Sequence, residues 1–249
     1  MINNILALIS SLILSLISGI SGIKQNSNIT FPSPVSSNQP IIQNIQIINF
    51  SDKSYSLYWQ KIESSKIKLI PNFSEKLTSQ KIIQNNHCNY GANAGFYTTN
   101  NSPLGLFFAN GKYINSEIHK SNFINGYLYK LTNQQIDIGN TLPNQELEFA
   151  FQSGPLFTPQ TKLKIIDDKP ARRILIGKNA NDLYLLAITT ANNPLDGPLL
   201  ADVPLILTNS NIKFNQIINL DGGAASAYHA EEVNLSELAP IGSFLCGVK

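Results

Sequence analysis

The chain has 249 residues, 43% hydrophobic and only 14% charged, so it holds enough apolar material for a substantial core, while its length alone permits one domain or two. Eighteen basic and sixteen acidic residues leave a formal charge of +2, and no Lys/Arg cluster exceeds Arg172-Arg173, which excludes the basic footprint of a nucleic-acid binder. Two cysteines and three histidines without C-x-x-C or H-x-x-x-H spacing offer no zinc site. A calcium site of carbonyls and one carboxylate would leave no trace in the sequence, and no cofactor is expected.

In chain order, Ile5 to Ile23 carries no charge, and at about 1.5 Å per helical residue it would cross most of a bilayer's hydrocarbon core. Residues 1–23 therefore read as a signal peptide, with Gly19 and Ser21 flanking a cleavage site, or as an uncleaved N-terminal anchor, since Met1 to Asn4 contains no Lys or Arg. Either way the segment is expected to meet membrane or secretion machinery, and the protein to be exported to a periplasmic or extracellular space. Residues 24–44, rich in Pro, Ser and Asn, read as a linker, and a domain is expected over 45–249. Cys88 and Cys246 are either one disulfide or two buried thiols.

Within that domain Ile45 to Phe50 and Ser54 to Lys61 alternate apolar and polar residues and are rich in Ile, Tyr and Trp, as half-buried strands require. Further strands are expected at Ile67 to Ile70, Leu104 to Ala109, Phe123 to Leu131, Glu146 to Gln152, Arg173 to Ile176, Leu183 to Thr189 and Gln216 to Leu220. Helices are expected at Phe73 to Gln84 and at Leu199 to Thr208, the latter kinked or ended by Pro204. The fold class is then α+β, a single domain of mixed β-sheets with few helices.

Four segments carry candidate chemistry. Asn89 to Lys112 is punctuated by glycines, among them Gly95, and Asn93 sits between small residues at a strand end, where its amide suits a sugar hydroxyl or phosphate oxygen or else simply makes a turn. At Phe151 to Phe157 an apolar strand runs into Ser153-Gly154-Pro155 and stops pairing, which presents Ser153 and nearby N–H groups at a strand end. Ala171 to Thr189 has the pattern of a hairpin whose first strand opens with Arg173, a fork for phosphate or an ion-pair partner for Asp167 or Asp168. Finally Ile217 to His229 sets Asp221 directly after a strand and before Gly222-Gly223 and the small residues to Ser226, which puts a carboxylate at a sheet edge beside backbone amides.

Taken in order, Asn-Ala-Gly-Phe-Tyr (93 to 97), Ser-Gly-Pro-Leu (153 to 156), Arg-x-x-Ile-Gly (173 to 177) and Asn-Leu-Asp-Gly-Gly-x-x-Ser (219 to 226) resemble the phosphodiester glycosidase family, the group related to the lysosomal uncovering enzyme. The resemblance implies an α+β catalytic domain and a hydrolase that cleaves between a sugar's anomeric carbon and a phosphate. The family's motif positions fall on Asn93, Gly95, Arg173, Asp221, Gly222, Gly223 and Ser226; Asp221, Arg173 and Asn93 are expected to be catalytic and Gly95, Ser153, Gly154, Gly222, Gly223 and Ser226 substrate-binding, with a carbohydrate phosphodiester as the partner. In the expected mechanism Arg173 and the Gly222 and Gly223 amides hold the phosphate, Asp221 activates water or stabilises the oxocarbenium-like state, and Asn93 orients the sugar. Glu148, Asp182 and His229 are the remaining candidates for a second proton-transfer group. The activity is expected to serve envelope or exopolysaccharide metabolism. The rival readings are a non-catalytic envelope polysaccharide-binding module and glycosyl transfer to an acceptor.

Overall fold

The computed structural model describes residues 44–249 apart from Asn181 and Glu232, so the segment at 1–23 and the linker up to residue 43 lie outside the described residues. The elements run β1 (Ile45–Phe50), β2 (Lys53–Lys61), β3 (Ile67–Pro71), α1 (Ser79–Asn86), β4 (Cys88–Asn93), β5 (Phe107–Ala109), β6 (Lys112–Asn115), β7 (Gly126–Leu131), β8 (Ile136–Gly139), β9 (Leu147–Ser153), β10 (Leu156–Phe157), β11 (Arg173–Asn179), β12 (Asp182–Thr190), α2 (Val203–Thr208), β13 (Gln216–Asn219), β14 (Tyr228–Ala230), β15 (Val233–Leu235) and β16 (Ser243–Val248). They build three sheets, ordered β1-β2-β12-β11-β13-β10, β15-β14-β4-β16-β3 and β6-β5-β9-β7-β8. The named strand pairings are antiparallel. The fold is thus predominantly β, which corrects the expected α+β class with mixed sheets.

The inner strands β11 and β12 of the first sheet carry nearly continuous apolar runs because both of their faces are covered. Along β11, Ile174 and Ile176 point into a core shared with the other two sheets, while Leu175 points the opposite way; β12 repeats the pattern with Leu185 and Ala187 against Leu186 and Ile188. The shared core collects Tyr90, Ala92 and Leu245 from the second sheet and Phe107, Leu128 and Phe151 from the third. On the opposite face, Leu175, Leu186 and Ile217 pack against Val203, Ile206 and Leu207 around α2.

Both helices are shorter than the sequence pattern implies. Asn72 brackets Leu77 with its side chain, accepting from the Leu77 N–H at 2.9 Å and donating to the Leu77 carbonyl at 2.9 Å, and Lys76 adopts φ +52°. This closed turn holds the chain out of helix until Thr78, which caps α1 by accepting from the Lys81 N–H at 3.3 Å. The stretch from Leu199 divides into a 3₁₀ turn, Leu200–Asp202, and α2, with Pro204 in the first turn of α2. There its missing N–H has no partner to lose, so Pro204 begins the helix instead of ending it.

Cys88 on β4 and Cys246 on the neighbouring β16 form a disulfide with Cα atoms 5.4 Å apart, which resolves the alternative left open by the sequence. No helix among the described residues is long and apolar enough to cross a membrane.

Candidate active site

The chain changes sheets at Asp221. Asn219 is still paired with Leu175 of the first sheet, and the Leu220 N–H donates to the Ile174 carbonyl at 2.9 Å; the next N–H, that of Asp221, donates to the Ala94 carbonyl at 3.1 Å, just beyond β4 of the second sheet. By Tyr228 the backbone is paired with Ala92 in that second sheet. Residues 221 to 227 are therefore a crossover loop whose ends belong to different sheets.

Asn93, 2% exposed at the end of β4, fastens both ends of that loop. Its Nδ2 donates to the Asp221 carbonyl at 2.7 Å and its Oδ1 accepts from the Ala227 N–H at 2.8 Å. An amide is suited to this because it offers a donor and an acceptor a fixed distance apart. The side chain expected to orient a sugar is occupied in holding the loop. Inside the loop Gly223 takes φ +63°, and its N–H donates to the Arg172 carbonyl at 3.0 Å, so this amide, expected to hold a phosphate, is already engaged. A Cβ on Gly222 would stand 3.1 Å from the Arg172 carbonyl oxygen and 4.0 Å from Cδ of Arg173, so the latter side chain runs along the loop.

Asp221 itself remains partly accessible, yet burial pushes its carboxyl from 3.8 up to about 7, with the hydrogen bond from the Gly222 amide opposing the rise. Tyr97 lies within electrostatic reach: burial first, then the Asp221 charge, raises its phenol, and its hydroxyl donates to the Pro240 carbonyl. The Tyr97 ring packs over Gly242, where a Cβ would come within 2.9 Å of it. Two recesses border this segment, one of about 380 Å³ lined by Thr98, Gly105, Glu117, His119 and Lys120, the other of about 240 Å³ lined by Lys76, Thr78, Glu237 and Pro240.

Arg173 opens β11 with a largely buried guanidinium. Its Nε donates to the Pro198 carbonyl at 3.0 Å, and its Nη2 to Asp168 at 3.1 Å and to the Lys169 carbonyl at 2.6 Å, while Nη1 makes no hydrogen bond among the described residues. The ion pair with Asp168, one of the two partners the sequence offered, has side-chain exposures of 12% and 10%. Burial lowers the Arg173 pKa and Asp168 counters the fall.

The Ser-Gly-Pro segment joins the same junction from β9. Ser153, fully buried, donates through Oγ to the Asn219 carbonyl at 2.7 Å, and the Gly154 N–H donates to that same carbonyl at 3.1 Å. A Cβ on Gly154 would meet the Phe123 carbonyl oxygen at 2.1 Å, so only glycine fits. Gly95 is buried, with Phe151 2.9 Å from where a Cβ would stand. Ser226 is also fully buried, its hydroxyl donating to the Gly223 carbonyl.

The four motif segments thus meet at the end of β13. Asp221 and the Gly222 backbone keep partial exposure, whereas the Asn93, Ser153 and Ser226 side chains are internal struts. Arg172, which the sequence offered only as half of a basic pair, is a strut too: 2% exposed, it donates from Nε to Ser226 Oγ at 2.6 Å. The other candidate proton carriers are engaged elsewhere. Glu148 pairs with Lys130 at 2.9 Å, Asp182 with Lys61 at 2.8 Å, and His229 is buried with Nε2 2.7 Å from Ser79 Oγ.

The model of the phosphodiester glycosidase family matches residues 86–243, a span that contains all four segments. Among solved structures the chain is similar to the zebrafish N-acetylglucosamine-1-phosphodiester alpha-N-acetylglucosaminidase catalytic domain auto-inhibited by its pro-peptide, with TM-score 0.64 and 15% identity over 86% of this chain and 85% of that one. It is also similar to a hypothetical protein from Synechocystis, with TM-score 0.53 and 14% identity over 81% of this chain and 61% of that one. At these identities the likeness shows the fold alone. No curated protein matches the sequence. On the family match, which covers more than half of its length, the chain belongs to the phosphodiester glycosidase family.

Proposed function

We propose that the protein is a hydrolase of sugar-1-phosphodiesters and that Asp221 carries the proton transfer. The observation that supports this most is a partly accessible carboxyl held near pH 7 at the sheet crossover, because a proton-transfer group works best when its pKa lies close to the working pH. In the reaction, water attacks the anomeric carbon, its proton passes to the Asp221 carboxylate, and the bond from that carbon to the phosphate oxygen breaks. The products are the free sugar and a phosphate monoester, and the proton on Asp221 then returns to solvent. The leaving phosphate needs its charge held more than it needs a strong acid. We assign that task to Arg173, whose Nη1 is the one arm of its fork without a hydrogen bond among the described residues. Asn93 serves by holding the loop and not by touching sugar.

We place this activity outside the cytoplasm, in envelope or exopolysaccharide metabolism. The Cys88–Cys246 disulfide suits an oxidising compartment, and the uncharged stretch Ile5 to Ile23 suits export.

The test is release of free sugar from a panel of sugar-1-phosphodiesters by the full chain, beside an Asp221→Asn variant. Turnover that rises through pH 7 and falls by roughly 10²- to 10⁴-fold in the variant supports the assignment. Binding without turnover across the panel would overturn it in favour of a non-catalytic binding module.

A further inference from the structure

We infer that Arg172 is a positioning residue for the reaction proposed above: its buried guanidinium sets the crossover loop from Asp221 to Ser226 and thereby the environment of the Asp221 carboxyl. The inference rests on that reading of Asp221, but its geometry is independent of it. Beyond the bond to Ser226 Oγ, Arg172 donates from Nη2 to the Ser226 carbonyl and to the Ser236 carbonyl at 2.7 Å, and from Nη1 to the Pro194 carbonyl at 3.2 Å. Its own carbonyl accepts the Gly223 N–H. One residue at the start of β11 therefore ties the loop to segments near 194 and 236, while Asn93 ties it to β4 from the other side.

A guanidinium is the side chain that can do this. It is planar, stays charged, and serves several acceptors in one plane, whereas a lysine ammonium is a point charge on a flexible stem. Burial works against the charge and lowers the pKa, while the nearby Glu237 carboxylate works in its favour. Glu237 is itself fixed, accepting from the Ser79 N–H at 2.8 Å at the start of α1. Arg172 acts on Asp221 through the loop and not through its charge. The groups that act on Asp221 are the Gly222 amide and, within electrostatic reach, the Tyr97 phenol beyond β4, while the aliphatic stem of Arg173 passes Gly222 with its guanidinium paired to Asp168.

The test uses the full chain with Arg172→Lys, read in two ways: kinetics on the phosphodiester panel against pH, and titration of the Asp221 carboxyl by ¹³C NMR, its signal identified by its loss in Asp221→Asn. A loosened loop lets water reach the carboxylate and moves the reacting groups. The expected result is a kcat lowered at least about tenfold with KM changed less than about threefold, and an Asp221 midpoint lowered by at least about one pH unit towards the ordinary carboxylate range. Ser226→Ala, which keeps the guanidinium and removes one of its acceptors, should shift the midpoint in the same direction by less. A folded Arg172→Lys protein with unchanged kcat and midpoint overturns the inference, as does an unchanged midpoint in Ser226→Ala should the lysine variant not fold. If the wild type hydrolyses no member of the panel, the proposed function fails, and the carboxyl midpoint still decides the role of Arg172.

Discussion

Replacing Asp221 with Asn should stabilise the protein at alkaline pH and leave its stability almost unchanged near pH 4. The carboxyl titrates at 3.8 when unfolded and at about 7 when folded. Between those values the native state retains a proton that the unfolded chain has released, so stability is fully present below pH 4, declines as pH rises, and levels off above pH 7. At about 1.36 kcal/mol per pH unit, the gap corresponds to about 4 kcal/mol of native-state destabilisation once the group is ionised. Asp221 is partly accessible, and solvent screening reduces this to roughly 2–4 kcal/mol. Asparagine has the same shape, keeps an acceptor for the Gly222 N–H, and never ionises. Calorimetric melts at pH 4, 6 and 8.5 should therefore show Asp221→Asn gaining on the wild type progressively, by roughly 5–15 °C in Tm at the highest pH for a domain of this size. An equal gain at every pH would mean that the substitution acts through packing. No gain at pH 8.5 would mean that the carboxylate is well hydrated in the fold, and the argument for its role in proton transfer would go with it.

Three further outcomes follow from the same geometry. Reducing the Cys88–Cys246 bond, or replacing both residues with Ser, should destabilise the domain by roughly 2–5 kcal/mol, because the bridge closes a separation of 158 residues, for which chain entropy alone gives about 5 kcal/mol; matched melts with and without reductant would show no difference if the bond does not form. Asn93→Ala should cost roughly 2–4 kcal/mol in urea denaturation, since it leaves the Asp221 carbonyl and the Ala227 N–H without their partner in a buried place, and it should also depress kcat; a loss of KM alone would return Asn93 to the role of a sugar contact. Arg173→Lys should raise KM for a phosphodiester by about tenfold or more without moving the pH at which activity rises, because a single ammonium can keep the Asp168 pair but lacks the separate Nη1 arm left over for phosphate; a displaced pH limb would show instead that the guanidinium bears on Asp221.

The sequence shows most of the first sheet directly. β1 coincides with the expected Ile45 to Phe50, and β2, β11, β12 and β13 begin or end within a few residues of expectation, because their Ile, Leu and Tyr runs are long enough for pattern to outweigh local preference. The second sheet is harder to see. β14 and β15 are three residues each, too short for any period to register, and β16, which lies between β4 and β3, contains Ser, Cys and Gly among its apolar residues. The helix expected from Phe73 begins only at Ser79 for a reason outside any periodic pattern, namely that the Asn72 side chain captures both polar groups of the Leu77 backbone. At the site, the four motif segments do meet at the end of β13, but what each side chain does there is invisible in their order. Arg172 and Arg173 are the sharpest case: at the entry to β11 one side chain is knotted into the crossover and the other turns to Pro198, Asp168 and Lys169, and nothing in the dipeptide says which.

That division follows from topology. A carboxyl on an ordinary exposed loop would turn into water, and its pKa would stay near 4. Asp221 cannot turn, because its backbone is tied on one side through Leu220 to the first sheet and on the other through Ala94 and Asn93 to the second. The two sheets share one core, so moving the loop outward would mean breaking hydrogen bonds to both at once. The buried amide, hydroxyls and arginine that fasten the loop therefore hold the Asp221 carboxyl in the partly buried place that the proposed proton transfer requires, and on that proposal much of the motif sequence serves the loop and not the substrate.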